Sequence, residues 1–329
     1  MTATTDAEQP QTTWVLTEGA AGMVNQCLAL TDALGVEPVI KRARPVGLWA
    51  CMPPWLLSPP LDVLASGSDA LMPPYPDLLI ACGRKSIGLA LALRRASGGR
   101  CFVVYVQDPR MNPARFDLVV APRHDQVRGP NVVLTRGAPN RVTPASLDAA
   151  KQRFAPLFAG LPRPLVAVLL GGRTKHHRFA PAEAEALGRR LAAFAKQESA
   201  GLAITASRRT PSASLAAFQA GLGDTPRYFY DGVGENPYFG LLANADAIIV
   251  TADSVNMISD ACSTGRPVLV ATLDDPPAKR FRNFLDGLRE DGMIRWFEGR
   301  FERYAYTPLG DAAVAAAELR RRLEPSRAR

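Results

Sequence analysis

Few folds accommodate residues 245–271, ADAIIVTADSVNMISDACSTGRPVLVA. Residues 247–250 form a short apolar, β-branched run of the kind found in buried strands. Asp253 and Ser254 can each cap a helix. Val255, Ile258, Ser259 and Cys262 then recur at helical spacing, Gly265 and Pro267 stop the helix, and residues 268–271 form a second buried strand. Strand, turn, short helix and strand in this order make a βαβ crossover of a parallel sheet. The junction of strand and helix is where chemistry is expected. A helix N-terminus presents unpaired N–H groups and partial positive charge, which suit a phosphate. Ser254 and Asn256 add side-chain donors, and Met257 lies in the same first turn. Asp253 would repel an anion unless it caps the helix or binds a sugar hydroxyl, and Asp260 can accept from ribose hydroxyls. The same residues also read as a capped helix with no ligand.

The 329 residues suggest two domains. With 39 Lys and Arg against 31 Asp and Glu, the net charge of +8 suits anionic partners such as nucleotides or acidic lipids. The basic residues are spread along the chain and no aromatic RNA-binding motif accompanies them, so no nucleic-acid partner is expected. Five Cys with no CxxC, and three His, argue against a metal site and for reduced thiols. No apolar run reaches the roughly 18 residues needed to span a membrane. Residues 1–12 read as a disordered polar tail without signal-peptide features. The expected location is cytoplasmic, or peripheral on the inner face of a membrane.

The first domain is expected over residues 13–160. A strand at 14–17 leads through Gly19 and Gly22 into a helix over 23–34. A glycine-bearing turn here lets backbone approach a ligand, or simply makes a tight connection. Gln26, early in that helix, can reach the same crevice. Residues 45–76 are rich in Pro, which forbids a long regular helix. They carry Trp49, Met52, Trp55, Leu56 and Leu57, with Lys41, Arg42 and Arg44 upstream. They read either as an apolar lip touching lipid or as a connection packed on the core. Further strands at 77–82, 101–106, 116–120 and 131–135 end in Gly83 and Arg84; in Gln107, Asp108 and Arg110; and in His124 and Asp125. In a parallel sheet the residues past the strand C-termini line the ligand crevice. His124, Asp125 and Asp108 are the candidate general bases.

The second domain is expected over 161–305, with a helix and tail over 306–329. The strand at 165–170 leads into Gly171, Gly172, Arg173, Thr174 and Lys175, small residues and cations that suit a diphosphate. The adjacent His176 and His177 are a poor chelating pair, and no metal is expected. A strand at 202–205 ends in Ser207, Arg208, Arg209 and Thr210 before Pro211, again an anion clamp at a helix start. A strand at 228–230 precedes Asn236 and Tyr238. The Ala-rich basic segment 308–322 reads as a helix that packs back on the first domain. Both halves alternate strand and helix, so the expected fold is α/β: two facing Rossmann-like domains with parallel sheets and a cleft between them.

Two resemblances extend this reading. Asp260-Ala-Cys-Ser-Thr-Gly-Arg-Pro267 resembles the acidic-Ala-xxx-Gly-x-Pro signature of the C-terminal domain of GT-B glycosyltransferases. There the acidic residue, usually Glu, holds the nucleotide ribose. Over nearly its whole length the chain also resembles the "elongated mitochondria" (ELM-type) mitochondrial fission family, in its bacterial form. That resemblance rests on Thr17-Glu-Gly-x-x-Gly22-x-x-x-Gln26, Gly83-Arg84, Gln107-Asp-Pro-Arg110, Phe116-Asp-Leu-Val-Val, Pro122-x-His-Asp125, Gly171-Gly172, Ser207-Arg-Arg-Thr-Pro211, Asn236-Pro-Tyr238 and Thr251-Ala-Asp-Ser254. The family is similar to GT-B enzymes, and that similarity implies a metal-independent glycosyltransferase without a tightly bound cofactor. Its donor, a nucleotide-sugar co-substrate, would sit on Gly171, Gly172, Arg173, Ser207, Arg208, Arg209, Thr210, Asn236, Tyr238, Asp253, Ser254, Met257 and Asp260. Its acceptor, membrane-associated or an envelope glycolipid, would sit near Gly19, Gly22, Gln26, Gly83, Arg84, Gln107 and Arg110. Two other functions suit the same fold: a non-enzymatic adaptor at a membrane or division site, and an epimerase or hydrolase of nucleotide-sugars.

Overall fold

A computed structural model describes residues 12–53, 59–174, 177–274 and 277–326, with side chains as far as Leu323. Most of the polar tail, Trp55, Leu56 and Leu57 of the apolar segment, and Lys175 and His176 lie outside the described residues. In chain order the elements are β1 (Thr13–Thr17), α1 (Ala21–Leu34), β2 (Val39–Arg42), α2 (Leu48–Cys51), β3 (Leu78–Cys82), α3 (Ser86–Ala96), β4 (Phe102–Val106), β5 (Leu118–Pro122), β6 (Val132–Thr135) and α4 (Pro144–Phe154). They continue with β7 (Leu165–Leu170), α5 (Pro181–Glu198), β8 (Gly201–Ala206), α6 (Ser212–Leu222), β9 (Arg227–Phe229), α7 (Tyr238–Asn244), β10 (Ala247–Thr251), α8 (Val255–Cys262), β11 (Val268–Ala271), α9 (Lys279–Glu290), β12 (Ile294–Trp296) and α10 (Asp311–Ser326).

The chain forms two compact units. One is the chain up to Arg141 together with the segment from Gly310, and the other is Val142–Leu309. Among the described residues the first unit holds a six-stranded sheet of order β2-β1-β3-β4-β5-β6, every pairing parallel. Its inner strands are buried on both faces, which is why they read as unbroken apolar runs. Cys27, Leu30 and Leu34 of α1 and Ala315, Ala316 and Leu319 of α10 cover one face, and Ile87, Leu89 and Leu93 of α3 cover the other. Asp311 anchors α10 by accepting from the N–H groups of Arg136 (3.1 Å) and Gly137 (2.7 Å). The proline-rich segment closes the β2 edge: Arg42 N–H donates to Asp69 Oδ2 (2.6 Å) and Ala65 N–H to the Arg44 carbonyl (2.8 Å).

The second unit has the order β12-β11-β10-β7-β8-β9, also all parallel among the described residues. Counted from β7 this is the doubly wound order, with its reversal between β7 and β10. Helices α5 and α6 pack on one face, and α4, α7, α8 and α9 on the other. Among the described residues no helix is long and apolar enough to cross a membrane.

Three features differ from the sequence expectation. The unit boundaries fall at Val142 and Gly310, not at 161 and 306. Helix α4 belongs to the second unit because Phe154 lies on Gly240 of α7, where a Cβ would come within 2.4 Å of the Phe154 Cβ. Strands β2 and β12 have no counterpart in the sequence expectation. Both are edge strands, VIKR half-exposed and IRW three residues long, and neither carries the apolar run of an inner strand. Helix α9 lacks a clear sequence signature as well, since its buried Phe284, Leu285 and Leu288 are interleaved with six charged residues, KRFRNFLDGLRE.

Candidate functional site

In the second unit the reversal of strand order places the ends of β7 and β10 side by side, and the side chains there interlock. Thr251 Oγ1 accepts from the Gly171 N–H (2.7 Å) and donates to Asp253 Oδ1 (2.6 Å). Gly172 N–H donates to Asp253 Oδ2 (2.8 Å). The Asp253 side chain is 2% exposed, and Arg209 Nη2 lies 3.5 Å from its Oδ2. Burial pushes the Asp253 carboxyl up, and the Thr251 hydroxyl, the Gly172 N–H, Arg209 and His177 pull it back.

This arrangement corrects the role expected of the two glycines. Their N–H groups face Thr251 and Asp253, so they do not cradle a phosphate. A Cβ on Gly171 would lie 1.8 Å from Asp253 Oδ1, and one on Gly172 would lie 2.4 Å from the Arg209 backbone. The glycines are there because three loops approach closely. The end of β8 is laced in by further bonds. Arg173 N–H donates to the Arg209 carbonyl (3.0 Å), Arg209 Nη1 to the Arg173 carbonyl (3.2 Å), and the Thr210 hydroxyl to the Gly171 carbonyl. Ser207 Oγ accepts from the Arg209 N–H (3.2 Å). Arg209 is therefore a structural clip. Arg173 and Arg208 are exposed, and among the described residues neither guanidinium has an acidic partner.

The neighbouring helix α8 starts at Ser254, whose Oγ accepts from the Met257 N–H. Asp260 lies six residues on, about 9 Å along the axis. Its Oδ2 accepts from the Tyr238 hydroxyl at 2.9 Å, and Asn236 Oδ1 accepts from the Tyr238 N–H at 3.0 Å. Tyr238 thus joins Asn236, through its backbone, to Asp260, through its hydroxyl. Burial pushes the Asp260 carboxyl up to about 7, with the Tyr238 hydroxyl opposing. Burial, then the charge of Asp260, drives the Tyr238 phenol well up. Sequence reasoning missed Glu183. It is 9% exposed, its Oε1 accepts from the Asp274 N–H (2.6 Å), and its Oε2 lies 3.3 Å from His177 Nε2. Its only sequence signal was a carboxylate in the first turn of α5. Among the described residues no three His, Cys, Asp or Glu side chains gather as a metal site would require.

In the first unit the reversal lies between β1 and β3. Glu18 accepts from the Lys85 N–H at 3.1 Å across this junction. Gly83 (φ +101°) and Gly19 (φ +93°) flank it, while Gly22 lies inside α1. A Cβ on Gly83 would meet Met23 Sδ at 2.7 Å. Gln26 is buried and accepts from Gln107 Nε2 at 3.3 Å. Gln107 itself holds φ +95°, a strained conformation for a residue with a side chain. Asp108 Oδ1 accepts from the Arg110 N–H at 2.8 Å, with Arg110 at φ +52°. His124 Nε2 and Asp125 Oδ1 stand 3.7 Å apart, as their adjacency suggests, but their side chains are 6% and 1% exposed. That burial removes Asp125 from direct contact with a substrate and leaves Asp108 as the more accessible carboxylate.

Comparison with known proteins fits this geometry. The model of the family described as Mitochondrial fission ELM1 matches residues 21–323. Mitochondrial fission protein ELM1 of Arabidopsis thaliana is 39% identical over 275 residues, 75% of this chain and 64% of that protein, so the match spans less than two thirds of that relative. Among solved structures, UDP-GlcNAc 2-epimerase of Methanocaldococcus jannaschii is similar with a TM-score of 0.56 at 14% identity, covering 94% of this chain and 98% of that one. MurG of Acinetobacter baumannii is similar with a TM-score of 0.50 at 16% identity, covering 96% and 92%. At these identities the likeness is one of fold, and the fold is GT-B-like: two Rossmann-like units, each on a parallel sheet.

Proposed function

The chain belongs to the Mitochondrial fission ELM1 family, and from its GT-B-like fold we propose that it is a nucleotide-sugar-dependent glycosyltransferase whose second unit binds the donor. One observation carries this reading: Arg173 and Arg208 stand exposed past the ends of β7 and β8, without an acidic partner among the described residues, in the unit whose helix α8 starts at the Ser254 cap. Guanidinium groups past the ends of parallel strands suit a diphosphate, and so does a helix N-terminus. The buried Asp253 clip fixes the loops that carry them, so the cations need little rearrangement to bind. As the bond between the anomeric carbon and the diphosphate oxygen breaks, both arginines would offset the charge on the leaving group. Asp260, held by Tyr238, would accept from the ribose.

In the first unit Asp108, Gln107 and Arg110 would handle the acceptor, Asp108 taking the proton of the attacking hydroxyl and His124 with Asp125 acting from behind. The strained Gln107 supports a functional role for this edge, because such a conformation persists only where its surroundings hold it. Arg208→Ala and Asp260→Ala beside the wild-type protein test the donor site in a thermal-shift screen of UDP, GDP, ADP, CMP and their sugars. A ligand of the native state raises the apparent stability, and both variants should lose the rise.

The M. jannaschii neighbour supports a second reading, since it is an epimerase of UDP-GlcNAc. An epimerase or hydrolase would convert a nucleotide-sugar with no acceptor present, whereas a transferase would need one. A non-enzymatic adaptor would bind no nucleotide, or would bind one without turnover.

A further inference from the structure

A cavity of about 380 Å³ opens in the first unit. Its volume falls within the range of small-molecule sites, about 300–1,000 Å³. Its walls are of two kinds. Pro45, Trp49 and Met52, around the short helix α2, face Pro59 and form an apolar side, while Arg84 and Lys85, just ahead of α3, form a cationic side. The apolar side is held close. Gly88 of α3 carries no Cβ, and one placed there would meet Pro59 Cδ at 2.7 Å, so the glycine lets Pro59 seat against the helix. Among the described residues neither cation of this side has an ion-pair partner, and Glu18 is the carboxylate beside them. Arg84 and Lys85 are exposed, and the Glu18 carboxylate accepts from the Lys85 backbone N–H. The positive end of the α3 dipole adds to the same field.

We propose that this cavity binds an anionic amphiphile, a phosphate-bearing head group on Arg84 and Lys85 with the start of its alkyl chain against Trp49, Met52 and Pro59. Neither half of such a ligand suffices alone. A purely apolar ligand would cover two cations without pairing them, which costs desolvation. A free phosphate would leave the apolar wall wet. Trp49 is suited to the join, with an apolar ring and one N–H donor. The proposal stands on the first unit alone. Identifying the amphiphile as the acceptor of a transferase does rest on the nucleotide reading above, and a failure of that reading leaves the cavity's specificity intact.

The molecule carries its own reporter. Cys51 lines the cavity and is exposed, whereas Cys27, Cys82, Cys101 and Cys262 are buried. In the native full chain Cys51 should therefore be the first thiol alkylated by iodoacetamide, as peptide mapping can verify. The rate is measured with and without dodecyl phosphate below its micellar concentration, with inorganic phosphate, and with the zwitterionic dodecylphosphocholine. The expected result is at least fivefold slowing by dodecyl phosphate, little by the other two, and loss of that protection in the Arg84→Gln/Lys85→Gln double variant, read as the ratio of protected to unprotected rates. Thermal melts of the variant check its folding, and Arg84→Lys should retain the protection. Equal protection by dodecylphosphocholine, protection by inorganic phosphate alone, no protection at all, or undiminished protection in a folded double variant would each overturn the proposal. A nucleotide melt on the same samples reads the second unit separately.

Discussion

The backbone N–H of Gly172 donates to Oδ2 of Asp253 at 2.8 Å, tying the end of β7 to the end of β10 where the strand order reverses. A carboxylate buried to 2% exposure is costly unless its oxygens are occupied, and here Thr251, Gly172 and Arg209 occupy them. The loops that present Arg173 and Arg208 are tied to one another there, Arg173 N–H donating to the Arg209 carbonyl.

Gly171→Ala should be severely destabilising, by about 3 kcal/mol or more, because its Cβ would overlap Asp253 Oδ1 at 1.8 Å. Gly160→Ala, where nothing lies within 4 Å, should change stability by no more than about 0.5 kcal/mol. Urea denaturation should show the midpoint of the first variant falling with an unchanged slope.

Arg208 and Arg209 are adjacent in sequence and should separate in effect. Arg208→Ala should weaken nucleotide binding about tenfold or more while leaving stability within about 0.5 kcal/mol. Arg209→Ala should weaken binding and also cost stability, about 1–3 kcal/mol, since it takes a partner from the buried Asp253. Melting curves together with titrations of both variants distinguish the two roles.

Asp260 should make stability fall with rising pH. Its carboxyl is pushed up to about 7 by burial, against about 3.9 in the unfolded chain. Between those values the folded protein holds a proton that the unfolded chain has lost. This contribution is thus fully present below about pH 4, is lost as pH rises through about 7, and is flat beyond. Asp260→Asn, which cannot ionise, should gain melting temperature relative to wild type at about pH 8 and not at about pH 4. Equal differences at both pH values would contradict the assignment.

Asp311→Ala should loosen α10 specifically. It leaves the buried N–H of Gly137 and the half-buried N–H of Arg136 without their acceptor, at a cost of about 1–3 kcal/mol. Hydrogen exchange should rise first in α10 and at the end of β6, with the second unit unchanged.

The inner strands were legible because a sheet covered on both faces demands unbroken apolar runs such as LVAVLL and AIIVT. The polar strand-end clusters followed from them, since a parallel sheet gathers those ends on one edge. The edge strands β2 and β12 lacked that signature. What each cluster does was less legible. Gly171-Gly172 looks like a phosphate cradle in sequence, and only the position of Asp253, 81 residues on, shows that the glycines admit a neighbouring loop. Likewise His124-Asp125 has the adjacency of a catalytic pair, but burial is a property of the packing around β5 and β6 and not of the dipeptide. The strain at Gln107 has no sequence signal at all, since it is a backbone angle and Gln is not a residue type that favours it.

Isothermal titration of the full chain with UDP, GDP, ADP and CMP, repeated on Arg208→Ala, is the decisive test of nucleoside-diphosphate binding at the strand ends of the second unit. One-to-one binding of at least one nucleoside diphosphate is expected, weakened about tenfold or more in a variant that melts like wild type. No heat from any nucleotide with folded protein, or binding that Arg208→Ala leaves unchanged, would contradict it.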